Sequence, residues 1–163
     1  MRRFISIHQP RSDLRKVLLA GLGGAAAIAL LGFLSQKSGH PWLMAPFGAS
    51  CVLLFSASSS PFSQPVNVVG GHFVATLIGL ILRLYLPNDW WAVAIAVGLA
   101  ISVMAALRIT HPPAGADPIV VCLSSPGFDF LFMPVLVGSL GLVLVATLFH
   151  LGTGTAYPMR KPA

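Results

Sequence analysis

Two ionisable side chains interrupt an otherwise apolar part of the chain. His111 and Asp117 lie in "ITHPPAGADPIVVCLSSPG", residues 109–127, among prolines and glycines. Histidine titrates near neutral pH, so His111 can donate a hydrogen bond to an anion, carry a proton or cap a helix. For Asp117 we expect a cap at a helix start, because a carboxylate in an anion path would repel the cargo. An Asp117 that faces a cavity would instead favour a cation or a proton-coupled cycle.

Two similar motifs offer backbone groups that suit a small anion, namely "PFGAS" at residues 46–50 and "PAGAD" at residues 113–117. A short helix that begins at Gly-Ala presents unpaired N–H groups and the positive end of its dipole, and both favour an anion. Ser50 can act there as a ligand or as the helix N-cap. The alternative is that both motifs are loops that pack at an interface, since helix ends need capping without any ligand. The predicted substrate-binding residues in these motifs, together with the preceding Pro112, are Gly48, Ala49, Ser50, Pro112, Pro113, Gly115 and Ala116.

His111, Arg108 and His72 complete the predicted substrate site. Arg108 precedes His111 by three residues, and Lys37 precedes His40 by the same spacing. The two basic residues can form an electropositive entrance, although terminal bases of membrane helices more commonly reach the lipid headgroups. His72 lies inside a long apolar segment, where an imidazole must face a cavity or a partner.

The remaining histidines point less clearly to function. We expect a structural role for His40, near an interface, and peripheral positions for His8 and His150. A metal site of histidines and Asp117 is weakly indicated, because no His-x-x-x-His spacing occurs and the chain has only four carboxylate side chains. No nucleophile with an adjacent base stands out. We therefore expect no metal, no cofactor and no enzymatic activity.

The composition indicates whether these residues belong to a water-soluble protein or to a membrane protein. The 163-residue chain is 56% hydrophobic and 9% charged, with a mean hydropathy of +0.85, so it has too few charges to cover a water-soluble globule. Five of its ten lysines and arginines lie within the first sixteen residues. That placement is typical of a cytoplasmic flank, so the net charge of +6 predicts an N-terminus inside the cell and no nucleic-acid partner.

Four segments are long enough to cross a lipid bilayer: residues 17–34, 66–86, 90–107 and 130–151. Two shorter apolar pieces, 41–57 and 112–123, are broken by Pro and Gly. We predict an all-α membrane protein with four long transmembrane helices and two re-entrant or half-helix segments. Its parts are a basic segment 1–16, one transmembrane domain 17–151 and a tail 152–163.

An offset of 71 residues aligns the chain with itself. "KSGHP" at residues 37–41 then matches "RITHP" at residues 108–112, and "SSP" recurs after both short pieces. The matches predict an internal repeat of residues 17–86 and 88–151. Paired segments interrupted by Gly and Pro in two halves are typical of transporter binding sites.

Stripes of small residues at a spacing of four occur on three of the long helices. Such stripes let helix backbones approach closely in lipid, so they predict a compact bundle and a possible homo-oligomer. The stripes are Gly21, Ala25, Ala29; Gly71, Ala75, Gly79; and Ala92, Ala96, Ala100.

Three stretches, in order, carry a resemblance to a known family: "APFGASCVLLF" at 45–55, "QPVNVVGGH" at 64–72 and "HPPAGA" at 111–116. They resemble the HPP family of small integral membrane proteins, which is named for its His-Pro-Pro motif. The resemblance covers residues 17 to about 150. It implies a four-helix protein, here of a bacterial cytoplasmic membrane, and transport of nitrite, with which some members are associated.

The resulting hypothesis is a transporter or channel for a small inorganic anion, with the lipid bilayer and the anion as its partners, joined by protons if transport is proton-coupled. The alternatives are a sensor or assembly module that transports nothing, and a metal-binding membrane protein. Charge counting does not decide whether the short pieces cross the membrane or re-enter, because both topologies place eight of the ten lysines and arginines inside. The length of residues 112–123 favours re-entry, since twelve helical residues cover only about 18 Å of a core of about 30 Å.

Overall fold

A computed structural model describes residues 4–159, and within this range the chain folds into helices and turns without a strand. Short 3₁₀ helices occur at Pro61–Ser63 and Pro112–Ala116, and a π-helical turn at Leu131–Leu136 leads directly into the last helix. The predicted basic residues Arg2, Arg3, Arg160 and Lys161 lie outside the described residues. The helices are α1 (Leu14–Ser38), α2 (Ala45–Ser56), α3 (Pro65–Tyr85), α4 (Trp90–Ala106), α5 (Asp117–Ser124) and α6 (Val137–Thr153).

Three helical segments are long and apolar enough to cross a membrane: Leu14–Ser38, Pro65–Tyr85 and Leu131–Thr153. The prediction of an all-helical membrane protein is confirmed at this level. The α4 helix is also apolar, but it has only 17 residues, so a fourth crossing at residues 90–107 stays a prediction. The α1 helix begins at Leu14, three residues earlier than predicted, and thus includes the last part of the basic segment 1–16.

The helix boundaries follow from local chemistry. Gly39 and Gly154 end α1 and α6 with φ angles of 72° and 74°, which glycine adopts without strain. Pro65 is the first residue of α3, where the missing N–H costs no hydrogen bond. The Asp89 carboxylate accepts a hydrogen bond from the Trp90 N–H and caps α4.

The α3 helix is the centre of the bundle and packs against α4, α5, α6 and the 3₁₀ helix Pro112–Ala116. Its small-residue stripe is buried and permits the closest approach. A Cβ atom added to Gly79 would lie 3.0 Å from Pro118 Cα, and one added to Gly71 would lie 2.6 Å from His111 Cβ. The stripe on α3 therefore holds the second short segment against the bundle, as expected for small residues at a helix interface.

The stripe predicted on α1 is not an internal packing surface. Gly21, Ala25 and Ala29 are exposed, and α1 instead buries the parallel row Gly23, Ala27 and Leu31. The reason is the position of α2, whose Phe55 ring lies directly against Gly23. By contrast, the α4 stripe of Ala92, Ala96 and Ala100 is buried as predicted.

The order of helices repeats along the chain. Each half has a long helix, a short helix and a second long helix: α1, α2, α3 and then α4, α5, α6. The short helices lie where the sequence predicted broken segments. The internal duplication itself, at residues 17–86 and 88–151, stays a prediction.

Candidate functional site

Four polar side chains from three helices and one loop form a buried cluster. They are Ser50 on α2, His72 on α3, His111 in the loop before the second 3₁₀ helix and Asp117 at the start of α5. Their exposure is 0 or 1% of the side-chain maximum. We call these residues the polar cluster. It contains the two ionisable residues that interrupt the apolar sequence and joins the two short segments through α3.

A continuous chain of hydrogen bonds links the cluster. Asp117 Oδ2 lies 2.7 Å from His72 Nδ1, and His72 Nε2 lies 2.8 Å from Ser50 Oγ. Ser50 Oγ is also 2.8 Å from His111 Nε2, and His111 Nδ1 lies 2.7 Å from the carbonyl oxygen of Phe62. All four distances are in the range of good hydrogen bonds. The Asp117–His72 contact is the only ion pair found among the described residues.

The N-terminal half of α3 positions the His-Pro-Pro segment. Asn67 Nδ2 donates a 2.9 Å hydrogen bond to the Thr110 carbonyl oxygen, which fixes the residue before His111. One turn later, Gly71 leaves room for the His111 side chain. His72 follows immediately, and its ring packs against the His111 ring with centroids 5.0 Å apart. The predicted motif at residues 64–72 thus serves mainly to hold the second short segment.

Two further oxygen atoms in this region are buried without a hydrogen bond. They are Asp117 Oδ1 and Thr76 Oγ1, and Thr76 lies beside the Asp117 carboxyl group. Because His72 and Thr76 are four residues apart on α3, their side chains share one helix face. Buried polar atoms without partners are rare and commonly mark a functional site.

An aspartate, a histidine and a serine in this order resemble the relay of serine hydrolases. Here, however, the Ser50 side chain has no exposed surface, and its hydroxyl oxygen also lies 3.0 Å from the Pro46 carbonyl oxygen. A substrate carbonyl therefore has no approach to Ser50 Oγ in this arrangement. The cluster is better suited to hold or pass a proton than to attack a substrate.

An open apolar groove of about 470 Å³ lies where the two short segments meet. It brings together four of the predicted substrate-binding residues, Ala49, Pro112, Pro113 and Ala116. The second predicted group, Ser50, His72 and His111, lies beneath them in the polar cluster. Pro46 and Pro113 line the groove next to cluster residues, so the two groups are neighbours.

The profile described as "HPP, transmembrane region" matches residues 9–158. The chain belongs to the HPP family. It is an integral membrane protein of that family, as its sequence motifs predicted.

Two relatives of this HPP protein are transmembrane proteins of Dictyostelium discoideum. One is 35% identical over 152 residues, which cover 86% of this chain and 49% of the relative. The other is 32% identical over 149 residues, which cover 84% of this chain and 52% of the relative. The chain thus spans about half the length of the curated relatives it matches. No solved structure matches it significantly.

Several local expectations for the predicted site need correction. The α2 helix begins at Ala45 with Met44 as N-cap, so Gly48, Ala49 and Ser50 lie inside the helix rather than at its start. The Gly48 N–H already bonds to the Met44 carbonyl oxygen at 3.4 Å. A preformed anion site on these backbone groups is therefore wrong, because the helix starts three residues before the glycine.

Two side chains also differ from expectation. Asp117 caps no helix: Ala116 is the N-cap of α5, and the carboxylate binds His72 instead. His150 is not peripheral but 3% exposed, and its Nε2 lies 2.8 Å from the Leu54 carbonyl oxygen.

Arg108 and Gly115 stand apart from the cluster. Arg108 is exposed, has a φ angle of 60° and makes no hydrogen bond or ion pair with the cluster within residues 4–159. Gly115 is half-buried in the 3₁₀ helix, with open space where a Cβ would be. Sequence reasoning missed Thr76 and Phe62. The spacing of Thr76 four residues after His72 was the available signal for the first, and no signal pointed to the Phe62 carbonyl.

Proposed function

We propose that this HPP protein carries a small inorganic anion across the membrane. One observation supports the proposal: the two short segments broken by Pro and Gly meet inside the bundle. Ser50 of the first segment and His111 of the second share a 2.8 Å hydrogen bond there. Interrupted helices in corresponding positions mark the binding sites of many transporters. Ionisable side chains buried in membrane proteins commonly line ion paths.

The chemistry of the polar cluster favours a small, singly charged oxyanion. The hydroxyl of Ser50 and the rings of His72 and His111 are hydrogen-bond donors, whereas phosphate sites usually contain arginine or lysine. Nitrite is the leading substrate because some members of the HPP family are associated with its transport. Because the cluster is fully buried, an anion in the apolar groove reaches it only if the bundle opens there, and it would then replace hydrogen bonds that the cluster residues make to one another.

The proposal includes a topology. The α2 helix has 12 residues and α5 has eight. These lengths correspond to about 18 Å and about 12 Å, well short of a core of about 30 Å, so both helices re-enter rather than cross. With α4 as the fourth crossing, both termini lie in the cytoplasm of a bacterial cell. Cysteines introduced at Thr110 and Ser125 would then be labelled from one side of the membrane only.

The test is uptake of nitrite, nitrate, formate and chloride into liposomes that contain the purified protein. His111→Ala should reduce uptake at least about tenfold, because it removes the two hydrogen bonds that join Ser50 and the Phe62 carbonyl oxygen to a buried network. His40→Ala is the matched control. His40 occupies the position that corresponds to His111 in the first half of the sequence, but it is exposed. The His40→Ala variant should leave uptake unchanged.

Two results would refute the proposal. The first is that none of the four anions is carried by the wild type. The second is equal uptake by the wild type and His111→Ala, provided both proteins elute as single species in size-exclusion chromatography. Ser50→Ala supplies an independent variant if His111→Ala does not fold.

A hydrolase is a second candidate function, favoured by one observation. Ser50, His72 and Asp117 have the distances of a catalytic relay, 2.8 Å and 2.7 Å. A hydrolase predicts that a fluorophosphonate probe labels the wild type and not Ser50→Ala. The complete burial of Ser50 argues for the opposite result, no labelling of either protein.

A further inference from the structure

The hydrogen bonds of the polar cluster restrict how many protons it can hold. The Phe62 carbonyl oxygen only accepts hydrogen bonds, so His111 Nδ1 carries a proton and donates it. Ser50 has one hydroxyl hydrogen, although its oxygen contacts both His72 Nε2 and His111 Nε2. At least one of these two ring nitrogens must therefore donate to Ser50.

When the Ser50 hydroxyl donates to one of the two rings rather than to the Pro46 carbonyl oxygen, three proton arrangements satisfy every bond from Asp117 to His111. In the first, a protonated Asp117 donates to His72 Nδ1, His72 Nε2 donates to Ser50, and Ser50 donates to a neutral His111. In the second, the proton of the Asp117 carboxyl group has moved to His72 Nδ1, so that His72 is an imidazolium beside the Asp117 carboxylate. In the third, His72 donates to the carboxylate, Ser50 donates to His72, and His111 is the imidazolium.

The three arrangements contain the same number of protons and have no net charge. They differ only by the transfer of protons along existing hydrogen bonds of 2.7–2.8 Å. One further proton loss would leave an unpaired buried negative charge, which is strongly unfavourable away from water. The chain therefore retains one labile proton, which can be present at the Asp117 end or at the His111 end.

We propose that Asp117, His72, Ser50 and His111 form a proton relay that couples anion movement to the movement of one proton. This inference rests on the proposed anion transport. His111 belongs to the segment that lines the groove, so the imidazolium form places the positive charge next to an anion there. Asp117 lies at the other end of the relay, where the Thr76 side chain interacts with its carboxyl group. The anion and the proton would cross together as a neutral pair.

Few other titratable groups lie on the elements that pack around the Asp117–His72 pair. The α4 helix, both 3₁₀ helices and the π-helical turn contain none. The α2 and α5 helices contribute the buried thiols Cys51 and Cys122. His150 on α6 binds the Leu54 carbonyl oxygen, and Arg83 of α3 donates to the Pro126 carbonyl oxygen at 2.7 Å, so neither neutralises Asp117.

Accumulation under a pH gradient tests the relay in liposomes that contain the protein. Valinomycin and equal potassium concentrations hold the membrane voltage at zero, and the anion is whichever of the four the wild type carries fastest. Uptake by protein-free liposomes is subtracted, because nitrous and formic acids cross lipid unaided.

With one proton per anion, a gradient of about one pH unit should drive accumulation of about tenfold. The Asp117→Asn variant should show no accumulation above the outside concentration. Asp129→Asn is the matched control, because it alters an exposed carboxylate, and it should accumulate the anion as the wild type does.

The outcomes separate the two proposals. Transport down the anion's own gradient without any accumulation by the wild type would overturn the relay and leave anion transport standing. Failure to carry any of the four anions would overturn the proposed function. The relay is then decided by ¹⁵N spectra of histidine-labelled wild type. It predicts that these spectra differ from those of Asp117→Asn at both His72 and His111, because the two rings share protons through Ser50, while a difference confined to His72 would overturn it.

Discussion

The replacement Gly71→Ala tests whether the close approach of α3 and the His-Pro-Pro segment supports the polar cluster. A Cβ at this position would lie 2.6 Å from His111 Cβ and 3.3 Å from the Ile109 carbonyl oxygen, and ordinary contacts begin at 3.4 Å. His111 would have to move by about 0.8 Å. Such a shift, if directed along the 2.8 Å bond to Ser50, stretches it to about 3.6 Å, which is too long for a hydrogen bond.

The expected cost follows from three contributions. Overpacking of a tight interface costs about 1–3 kcal/mol. Loss of a buried hydrogen bond costs about 1–3 kcal/mol more. The better helix propensity of alanine returns about 1 kcal/mol. We therefore expect Gly71→Ala to lower the free energy of unfolding by about 1–5 kcal/mol and to reduce anion uptake.

The assay is thermal unfolding of the detergent-solubilised protein together with uptake by liposomes. Gly98→Ala is the matched control, because Gly98 lies in the interior of α4 with open space where its Cβ would be. It should melt at or slightly above the wild-type temperature. If Gly71→Ala melts with Gly98→Ala and transports normally, the close approach at Gly71 does not support the cluster and the reasoning is wrong.

Three further substitutions test separate parts of the site. Gly138→Ala places a Cβ 2.5 Å from Phe47 Cε2. The Phe47 ring packs edge-on against His72, so the clash presses it into the cluster. We expect the free energy of unfolding to fall by about 1–3 kcal/mol and uptake to be slower. Asn67→Leu removes the 2.9 Å hydrogen bond to the Thr110 carbonyl oxygen, so stability should fall by about 1–2 kcal/mol, with a larger effect on uptake than on melting. Arg108→Ala removes an exposed side chain and should change stability by less than about 0.5 kcal/mol and leave uptake intact.

Each of these substitutions has an outcome that would contradict the role assigned to its residue. Normal uptake by Gly138→Ala would mean that Phe47 does not restrain His72. Equal losses of stability and uptake in Asn67→Leu would assign Asn67 a general structural role instead of a role in positioning His111. Loss of uptake in a stable Arg108→Ala would revive the electropositive entrance that the sequence allowed.

The class of protein and the location of its helices could be predicted from the sequence because they depend on local properties. Hydropathy summed over about 20 residues identifies segments that suit lipid, and clusters of Pro and Gly with polar residues mark the breaks between helices. The predicted segments therefore coincide with α1, α3, α4 and α6, and the broken pieces with α2 and α5. Family membership was also accessible, since three short motifs in order carry it.

Which polar groups meet could not be predicted from the sequence, because that depends on how helices rotate and pack. The predicted stripe at Gly21, Ala25 and Ala29 was as regular as the one on α3, yet the position of α2 turned α1 so that the neighbouring row is buried. The start of α2 at Ala45 likewise moved Ser50 from the expected helix start, where it could cap the helix or bind a ligand, into the bundle interior.

The partner of Asp117 shows this limit most clearly. A carboxylate near a helix start is usually a cap, so the sequence favoured that role. Asp117 and His72 are 45 residues apart, and only the packing of α5 on the small-residue stripe of α3 brings them to 2.7 Å. The sequence determined that buried polar residues exist in this membrane protein. The tertiary structure decided that they form one continuous chain of hydrogen bonds, because only in the folded bundle do groups buried away from water find one another as partners.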